Sequence, residues 1–251
     1  MKYCLFLILF IYQQNITAQI NQTDLKGRKQ GIWEKKYPNS NFLQYKGQFK
    51  DNIPIGTFNY YYPEGQIKAV IEHFKDGHRS LVQFFFENKV IMCDGFYYDQ
   101  KKDSTWVNYN LDGLVLSVEN YKNDKLNGKK IMYYLEGQIE TEKLNPLSIT
   151  YYEDGIINGE YKEYFSTGKL KRVGLYIDGE QQGEWKEYYP NGSISSTSKY
   201  KNGLLHGWSY SYNKQGEEIG KEMYQFGELL SDKLLSKYLK TCEEKGIDPN
   251  Q

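Results

Sequence analysis

Apolar and polar side chains alternate along this chain in short runs punctuated by glycine, and the whole pattern returns about every 24 residues. In its fullest form one unit reads Gly-x-aromatic-x-x-Tyr-Tyr-x-Asn-Gly. Copies open at Gly31, Gly56, Ser80, Ser104, Gly128, Gly159, Gly183 and Gly207, with steps of 25, 24, 24, 24, 31, 24 and 24 residues. A fixed period of this length marks a stacked repeat, in which each unit buries its apolar surface only against its neighbours. With the opening residue as position zero, position nine is glycine at Gly65, Gly113, Gly137, Gly168, Gly192 and Gly216, commonly after a turn former or an acid, as in Asp112-Gly113 and Asn191-Gly192. Such a pair between two aromatic or apolar runs predicts a β-hairpin. A second turn closes each unit at Asp76-Gly77, Asp154-Gly155, Asp178-Gly179 and Asn202-Gly203. Ahead of it stands an aromatic residue or His: Phe49, His73, Tyr97, Tyr121, Tyr152, Tyr176, Tyr200 and Tyr224. The expected fold is therefore an all-β repeat, an elongated antiparallel meander of about eight two-stranded hairpins. The extra residues of the 31-residue step predict a longer loop around Leu144 to Thr150.

Side-chain parity follows once a loop length is chosen. With a two-residue first turn, position six faces eleven, four faces thirteen and two faces fifteen, and facing residues share a side. One face then collects Trp33, Phe58, Trp106, Tyr161 and Trp185 at position two, and Tyr37, Tyr62, Phe86, Tyr134, Phe165 and Tyr189 at position six. It also receives Phe42, Ile67, Ile91, Val115, Ile139, Leu170 and Ile194 at position eleven, and the small residues Ala69, Cys93, Ser117, Thr141 and Ser196 at thirteen. This is the expected core face. Position five points the other way and is nevertheless aromatic: Tyr61, Phe85, Tyr109, Tyr133, Tyr164, Tyr188 and Tyr212. Around it, positions three and twelve include Lys162, Lys186, Lys68, Glu140 and Lys171. These rings can pack with one another and with lysine stems to cover a one-layer sheet. They can equally form a binding stripe, since tyrosine offers large contact area at low entropic cost. The two readings are compatible, and the row is the candidate interaction site.

The ends break the period. Residues 1–19 begin with Lys2, run apolar from Tyr3 to Tyr12 and leave through Ile16-Thr17-Ala18-Gln19, the layout of a secretory signal peptide cleaved after Ala18 or Gln19. About ten apolar residues are too few to span a bilayer, which takes about 20. The expectation is an exported chain, periplasmic or extracellular, with no integral membrane segment after signal removal. The array would then occupy 20–229. Beyond Gly227, Leu230, Leu234, Leu235, Tyr238, Leu239 and Cys242 recur at helical spacing, with Lys233, Lys237, Lys240, Glu243 and Glu244 on the other side. A helix over 230–245, started by Ser231 or Asp232 and ended at Gly246, is expected to cap the open stack, leaving 246–251 as a tail.

Composition adds two exclusions. Lys and Arg number 32 against 32 Asp and Glu, so no net field recruits nucleic acid. Cys93 and Cys242, the cysteines left after cleavage, lie several repeats apart in a stack of this kind, too far for a disulfide whose Cα atoms must come within about 7 Å. No cluster carries chemistry. His73 takes the recurring aromatic position, His206 sits in a turn, and His73 and His78 straddle the Asp76-Gly77 turn rather than sharing a helical metal face. Nucleophile elbow, phosphate loop and cysteine metal spacing are all missing, and the carboxylates scatter through turns. No enzyme activity, metal or cofactor is expected.

Gly183-Glu-Trp-Lys-Glu-Tyr-Tyr-Pro-Asn-Gly192, followed by Tyr200-Lys-Asn-Gly203-Leu-Leu-His-Gly207, resembles the variant MORN repeat. Similar strings start at Gly159 and Gly56, and the resemblance covers about residues 27–227. The copies at Ser80 and Ser104 depart from it, and the first of these has Lys89 where the second glycine belongs. Bacterial chains that look like this are often labelled antitoxin-like, which implies a protein-binding role and no catalytic residues. A secreted protein-interaction scaffold is thus the expected function. The alternative is a cell-wall or carbohydrate-binding module that stacks sugars on the exposed tyrosine row.

Overall fold

The structure, a computed structural model, describes residues 19–141 and 143–250; the expected signal segment, apart from Gln19, lies outside them. Among the described residues, twenty strands and two helices follow in order. They are β1 (Gln22–Thr23), β2 (Lys29–Lys36), β3 (Leu43–Lys50), β4 (Ile53–Tyr61), β5 (Ile67–His73), β6 (Arg79–Phe85), β7 (Ile91–Tyr98), β8 (Lys101–Tyr109), β9 (Val115–Lys122), β10 (Lys125–Tyr133), α1 (Gln138–Thr141), β11 (Pro146–Glu153), β12 (Ile156–Ile157), β13 (Gly159–Tyr164), β14 (Leu170–Ile177), β15 (Glu180–Tyr188), β16 (Ile194–Lys201), β17 (Leu204–Leu205), β18 (Gly207–Tyr212), β19 (Glu218–Gln225), β20 (Glu228–Leu229) and α2 (Asp232–Lys245). Every pairing is antiparallel and joins neighbours along the chain, so the eight hairpins form one open meander as expected. The outermost strands, β1 and β20, are two residues long, which blunts the exposed edges.

The first turn is not the expected two-residue loop. In the β4–β5 hairpin the Tyr62 N–H donates to Gln66 C=O (2.8 Å) and the Gly65 N–H to Tyr62 C=O (2.9 Å), a three-residue loop with Gly65 left-handed at φ 92°. This is the type I turn plus glycine bulge common in hairpins. The pair of bonds recurs at Phe86/Val90, Asn110/Leu114, Phe165/Lys169, Tyr189/Ser193 and Asn213/Glu217. Lys89 takes the left-handed position at φ 69°. A bulge in the returning strand then restores the register: Tyr61 faces Ile67, whereas Tyr60 faces Ala69 and Phe58 faces Ile71. Positions two, four, thirteen and fifteen therefore share a face as expected. Position eleven does not join them. It faces position five at Tyr61–Ile67, Phe85–Ile91, Tyr109–Val115, Tyr164–Leu170 and Tyr188–Ile194, on the reverse side. Position twelve moves to the ring side, where Lys68 lies over the Tyr62 ring (5.7 Å) and Lys171 pairs with Glu163 (2.6 Å).

The opening glycine serves a second irregularity. At Gly56, Ser104, Gly128 and Gly183 the strand slips register against the preceding hairpin, and these residues are left-handed, at φ 64°, 59°, 102° and 67°. At Ser80 there is no slip: His73 faces Ser80 and the pairing continues unbroken to Ala69–Phe84. The reason lies in the turn before it. The expected two-residue turn is found at Asp154-Gly155, Asp178-Gly179 and Asn202-Gly203, where both residues have positive φ. At Asp76-Gly77 the loop is wider, closed by Phe74 N–H to Arg79 C=O (3.0 Å) with only Gly77 of the two left-handed.

The core is a single row of rings lying on glycines. Phe58, Trp106 and Trp185 are at most 2% exposed, and each covers a glycine of the preceding hairpin: Gly47, Gly95 and Gly174. A Cβ on Gly95 would stand 2.6 Å from Trp106 Cε2, and one on Gly174 2.6 Å from Trp185 Cε3. Flanking rings meet them edge-on, as in Phe49–Phe58 (5.1 Å), Tyr97–Trp106 (5.2 Å) and Tyr176–Trp185 (5.1 Å), geometry that complements the ring quadrupoles. At the unbulged junction Val82 faces Ile71 instead. At the next break in the row Lys130 faces Glu119 (2.9 Å). Burial works to raise the Glu119 pKa, but Lys130, Tyr121 and Ser117 outweigh it and hold the carboxyl below its usual range.

The 31-residue step is accommodated at the first turn of the fifth hairpin, not at 144–150, most of which is strand β11. Tyr134 N–H reaches Asn145 C=O (3.0 Å) across a loop containing α1, so Ile139 and Thr141 lie in a helical turn rather than in the rows expected for them. Gln138 stands in for strand pairing there, accepting from Val115 N–H (3.0 Å) and donating to Val115 C=O (2.9 Å). At the far end α2 runs from Asp232 to Lys245, with Ser231 extended but making no side-chain cap bond and Gly246 left-handed as expected. Met223 of the last hairpin and Cys242 of the helix are both buried, and Asn250 Oδ1, accepting from Trp208 N–H (3.1 Å), ties the tail to that hairpin. Cys93 and Cys242 are free thiols.

Candidate functional site

Tyr61, Phe85, Tyr109, Tyr133, Tyr164, Tyr188 and Tyr212 sit at the turn-proximal ends of β4, β6, β8, β10, β13, β15 and β18, all half-buried. One member on every second strand gives a row with a step of about 10 Å. Five of the rings face an aliphatic residue of their own hairpin, Tyr133 faces Pro146 and Tyr212 faces Glu218. Among the described residues no ring contact joins successive members, so the row does not cover the sheet by stacking on itself. Tyr109 O–H donates to Asp94 Oδ1 (3.3 Å), and burial pushes the Tyr109 and Tyr133 hydroxyls up.

The surroundings of the row change along the array. Toward its C-terminal end the same face is charged, with Lys162–Glu160 (2.7 Å) and Lys186–Glu184 (2.9 Å) ion pairs. Across the middle it is aliphatic: Val107 faces Val118, Val118 faces Ile131 and Ile131 faces Ile149, a ladder over β8, β9, β10 and β11 beside Tyr109 and Tyr133. These side chains are half-buried, and the substantial contacts between elements all join neighbouring strands of the meander.

What holds the row in place is not visible from the periodicity. Tyr37 O–H donates to the backbone C=O of Tyr61 (2.6 Å), Tyr62 to Phe85 (2.7 Å), Tyr134 to Tyr164 (2.8 Å) and Tyr189 to Tyr212 (2.8 Å). The position-six tyrosine thus staples its hairpin to the row residue of the next. Its signal in the sequence is the doubled Tyr-Tyr, in which one ring faces outward and the other bonds onward.

A family model described as the MORN repeat variant matches residues 54–76, 157–178 and 181–202, which are the hairpins β4–β5, β13–β14 and β15–β16. These three hairpins are MORN repeats of the variant type. MORN repeats are in general interaction repeats, for proteins or membranes. No curated protein sequence matches the chain. Alignments to solved structures include S. aureus TarM, as a mutant in complex with Fondaparinux, alpha-GlcNAc-glycerol and UDP (13% identity, 59% of this chain, 21% of that chain, TM-score 0.26) and alone (13%, 59%, 20%, 0.26). Another is a porin-like protein from Bacteroides uniformis (11%, 78%, 91%, 0.18). The chain spans about a fifth of the length of the TarM chains, and scores of this size do not indicate a shared fold. Among the described residues no helix is long and apolar enough to cross a membrane, and no three or more His, Cys, Asp or Glu gather as metal ligands.

Proposed function

We propose that the chain is an exported, non-catalytic scaffold whose tyrosine-bearing face binds a partner protein. The supporting observation is the aliphatic ladder Val107–Val118–Ile131–Ile149 beside Tyr109 and Tyr133 on the face opposite the packed rings. A contiguous apolar patch with tyrosine at its border has the composition of an interface core, whereas isolated apolar residues would need no explanation. Hydroxyl staples hold the backbone at four members of the row, Tyr61, Phe85, Tyr164 and Tyr212, and that ordering lowers the entropic cost of binding.

Photo-crosslinking in the source organism tests this. A photoreactive phenylalanine at Tyr109, Tyr133 or Tyr164 should give one discrete protein adduct, and the same residue at Glu187 or Lys35 on the ring face should not. Equal labelling from both faces, or no protein adduct from the row, overturns the reading. An antitoxin role would make the captured protein a toxin encoded beside this chain. N-terminal sequencing of the mature protein beginning at Gln19 or Ile20 would support export, and an intact Met1 in the mature protein would refute it.

A further inference from the structure

The unbulged β5–β6 junction opens a groove of about 560 Å³ on the ring face, within the range of about 300–1,000 Å³ typical of small-molecule sites. Its cause is local sequence. Where the junction before β15 has Tyr176, Gly183 and Trp185 at positions seventeen, zero and two, this one has His73, Ser80 and Val82. The ring expected between Phe58 and Trp106 is therefore replaced by a valine, which is itself fully buried, and the groove opens beside it, over Ile71, His73 and Ser80. Tyr60, Phe84 and Tyr97 line the groove with half-buried rings. His73 and Ser80 face one another in register, with His73 Nδ1 2.9 Å from Ser80 Oγ. The second-turn row supplies the lip: His78 Nδ1 lies 2.6 Å from Asp99 Oδ1, and Gln100 stands beside them.

We propose that this groove is a saccharide site that takes a neutral pyranose unit. Aromatic faces suit the C–H faces of a sugar ring, while Asp99 accepts, His78 donates and Gln100 does both, the mixed set that vicinal hydroxyls require. The hydrogen bond to Asp99 raises the His78 pKa, and with His78 protonated its Nε2–H donates and the pair carries no net charge, so nothing at the lip then favours a strongly charged ligand. The site lies on the face opposite the tyrosine row and is independent of the protein-binding reading.

The test is calorimetric titration of the full chain with cellotetraose and with tetra-N-acetylchitotetraose. At least one should bind with a Kd of about 1 mM or tighter. The double substitution His73→Tyr with Ser80→Gly restores residues that the other repeats use, fills the groove with a ring, and should weaken that binding at least tenfold with the circular dichroism unchanged. Tyr133→Ala, on the opposite face, should leave it intact. Failure of the wild-type chain to bind either probe at about 10 mM overturns the proposal. So does undiminished binding by the double variant, or an equal loss with Tyr133→Ala.

Discussion

The ring-on-glycine contact makes a prediction whose sign depends on the background. Gly95 lies under Trp106, which is fully buried, and an added Cβ would approach Trp106 Cγ and Cε2 to 2.6 Å, closer than any real Cβ contact. Gly95 has no left-handed φ, so the backbone itself accepts alanine, and the clash is the whole cost. Gly95→Ala should therefore destabilise by about 1–3 kcal/mol, the usual penalty for overpacking. Trp106→Ala alone should cost about 3–5 kcal/mol as a large buried truncation. With the indole gone, Gly95→Ala has nothing to strike and instead restricts the unfolded chain, a gain of about 0.4–1 kcal/mol. The cycle should close with a coupling of about 1.5–4 kcal/mol, the difference between the clash cost and that gain. Urea unfolding followed by far-ultraviolet circular dichroism measures it, because the fluorescent ring is absent from half the variants. Midpoints are compared at constant m, since a long repeat array can lose two-state cooperativity. Equal destabilisation by Gly95→Ala with and without Trp106 would show that the glycine is needed for its backbone and not for the ring, and would refute a core built by rings resting on glycines.

Three further outcomes follow from the same geometry. Ser104 is left-handed at φ 59° where six of the eight repeats use glycine, so Ser104→Gly should raise stability by about 1 kcal/mol in urea melts. Tyr62→Phe removes the staple to Phe85 C=O and should cost about 0.5–1.5 kcal/mol, whereas Phe165→Tyr should add the corresponding bond to Tyr188 and raise the melting temperature. The Glu119–Lys130 pair replaces a ring on glycine, so Lys130→Met should destabilise by about 1.5–3 kcal/mol, with Tyr121 and Ser117 still bonded to the carboxylate, while Glu119→Gly with Lys130→Trp should be neutral or stabilising. Because the folded Glu119 pKa is held below its unfolded value, its contribution is present above the unfolded carboxylate range and is lost as pH falls through the folded value. Melts at pH 7 and pH 3 should accordingly differ less in that double variant, which lacks the carboxylate, than in the wild-type chain.

The hairpins, the ring row and the end helix are legible in the sequence because each rests on a local signal: turn dipeptides, a 24-residue period, a change to helical spacing. Position eleven is misplaced for an equally local reason. A two-residue and a three-residue loop leave the same glycine at position nine, and the one-residue difference, later absorbed by a bulge, turns Ile67 and its counterparts to the other face. The glycines under the rings do carry a signal, since Gly47, Gly95 and Gly174 each stand eleven residues before Phe58, Trp106 and Trp185. Treating glycine as a mark of turns hides its second use, close approach of a ring to the backbone. The His73–Ser80 contact is hidden because both residues read as departures from a pattern, and only the uninterrupted register of β5 with β6 sets them face to face.

The two faces of the sheet exchange roles at its middle. On the ring side the row gives way at the fifth hairpin, where Lys130 and Glu119 stand for a ring and a glycine and the loop bearing α1 is inserted. An ion pair between buried Glu119 and half-buried Lys130 contributes less stability there than apolar packing of the same volume would. On the reverse side, the same strands carry the unbroken aliphatic ladder from Val107 to Ile149. A sheet shaped for stability alone would place its best packing at its centre and on its ring face, and this one weakens that packing where its opposite surface is most apolar. The compensation holds only if the reverse face gains contacts when a partner covers it. Binding should therefore centre on β8 to β11 and stabilise those hairpins more than the ends of the array, a difference that hydrogen exchange resolves strand by strand.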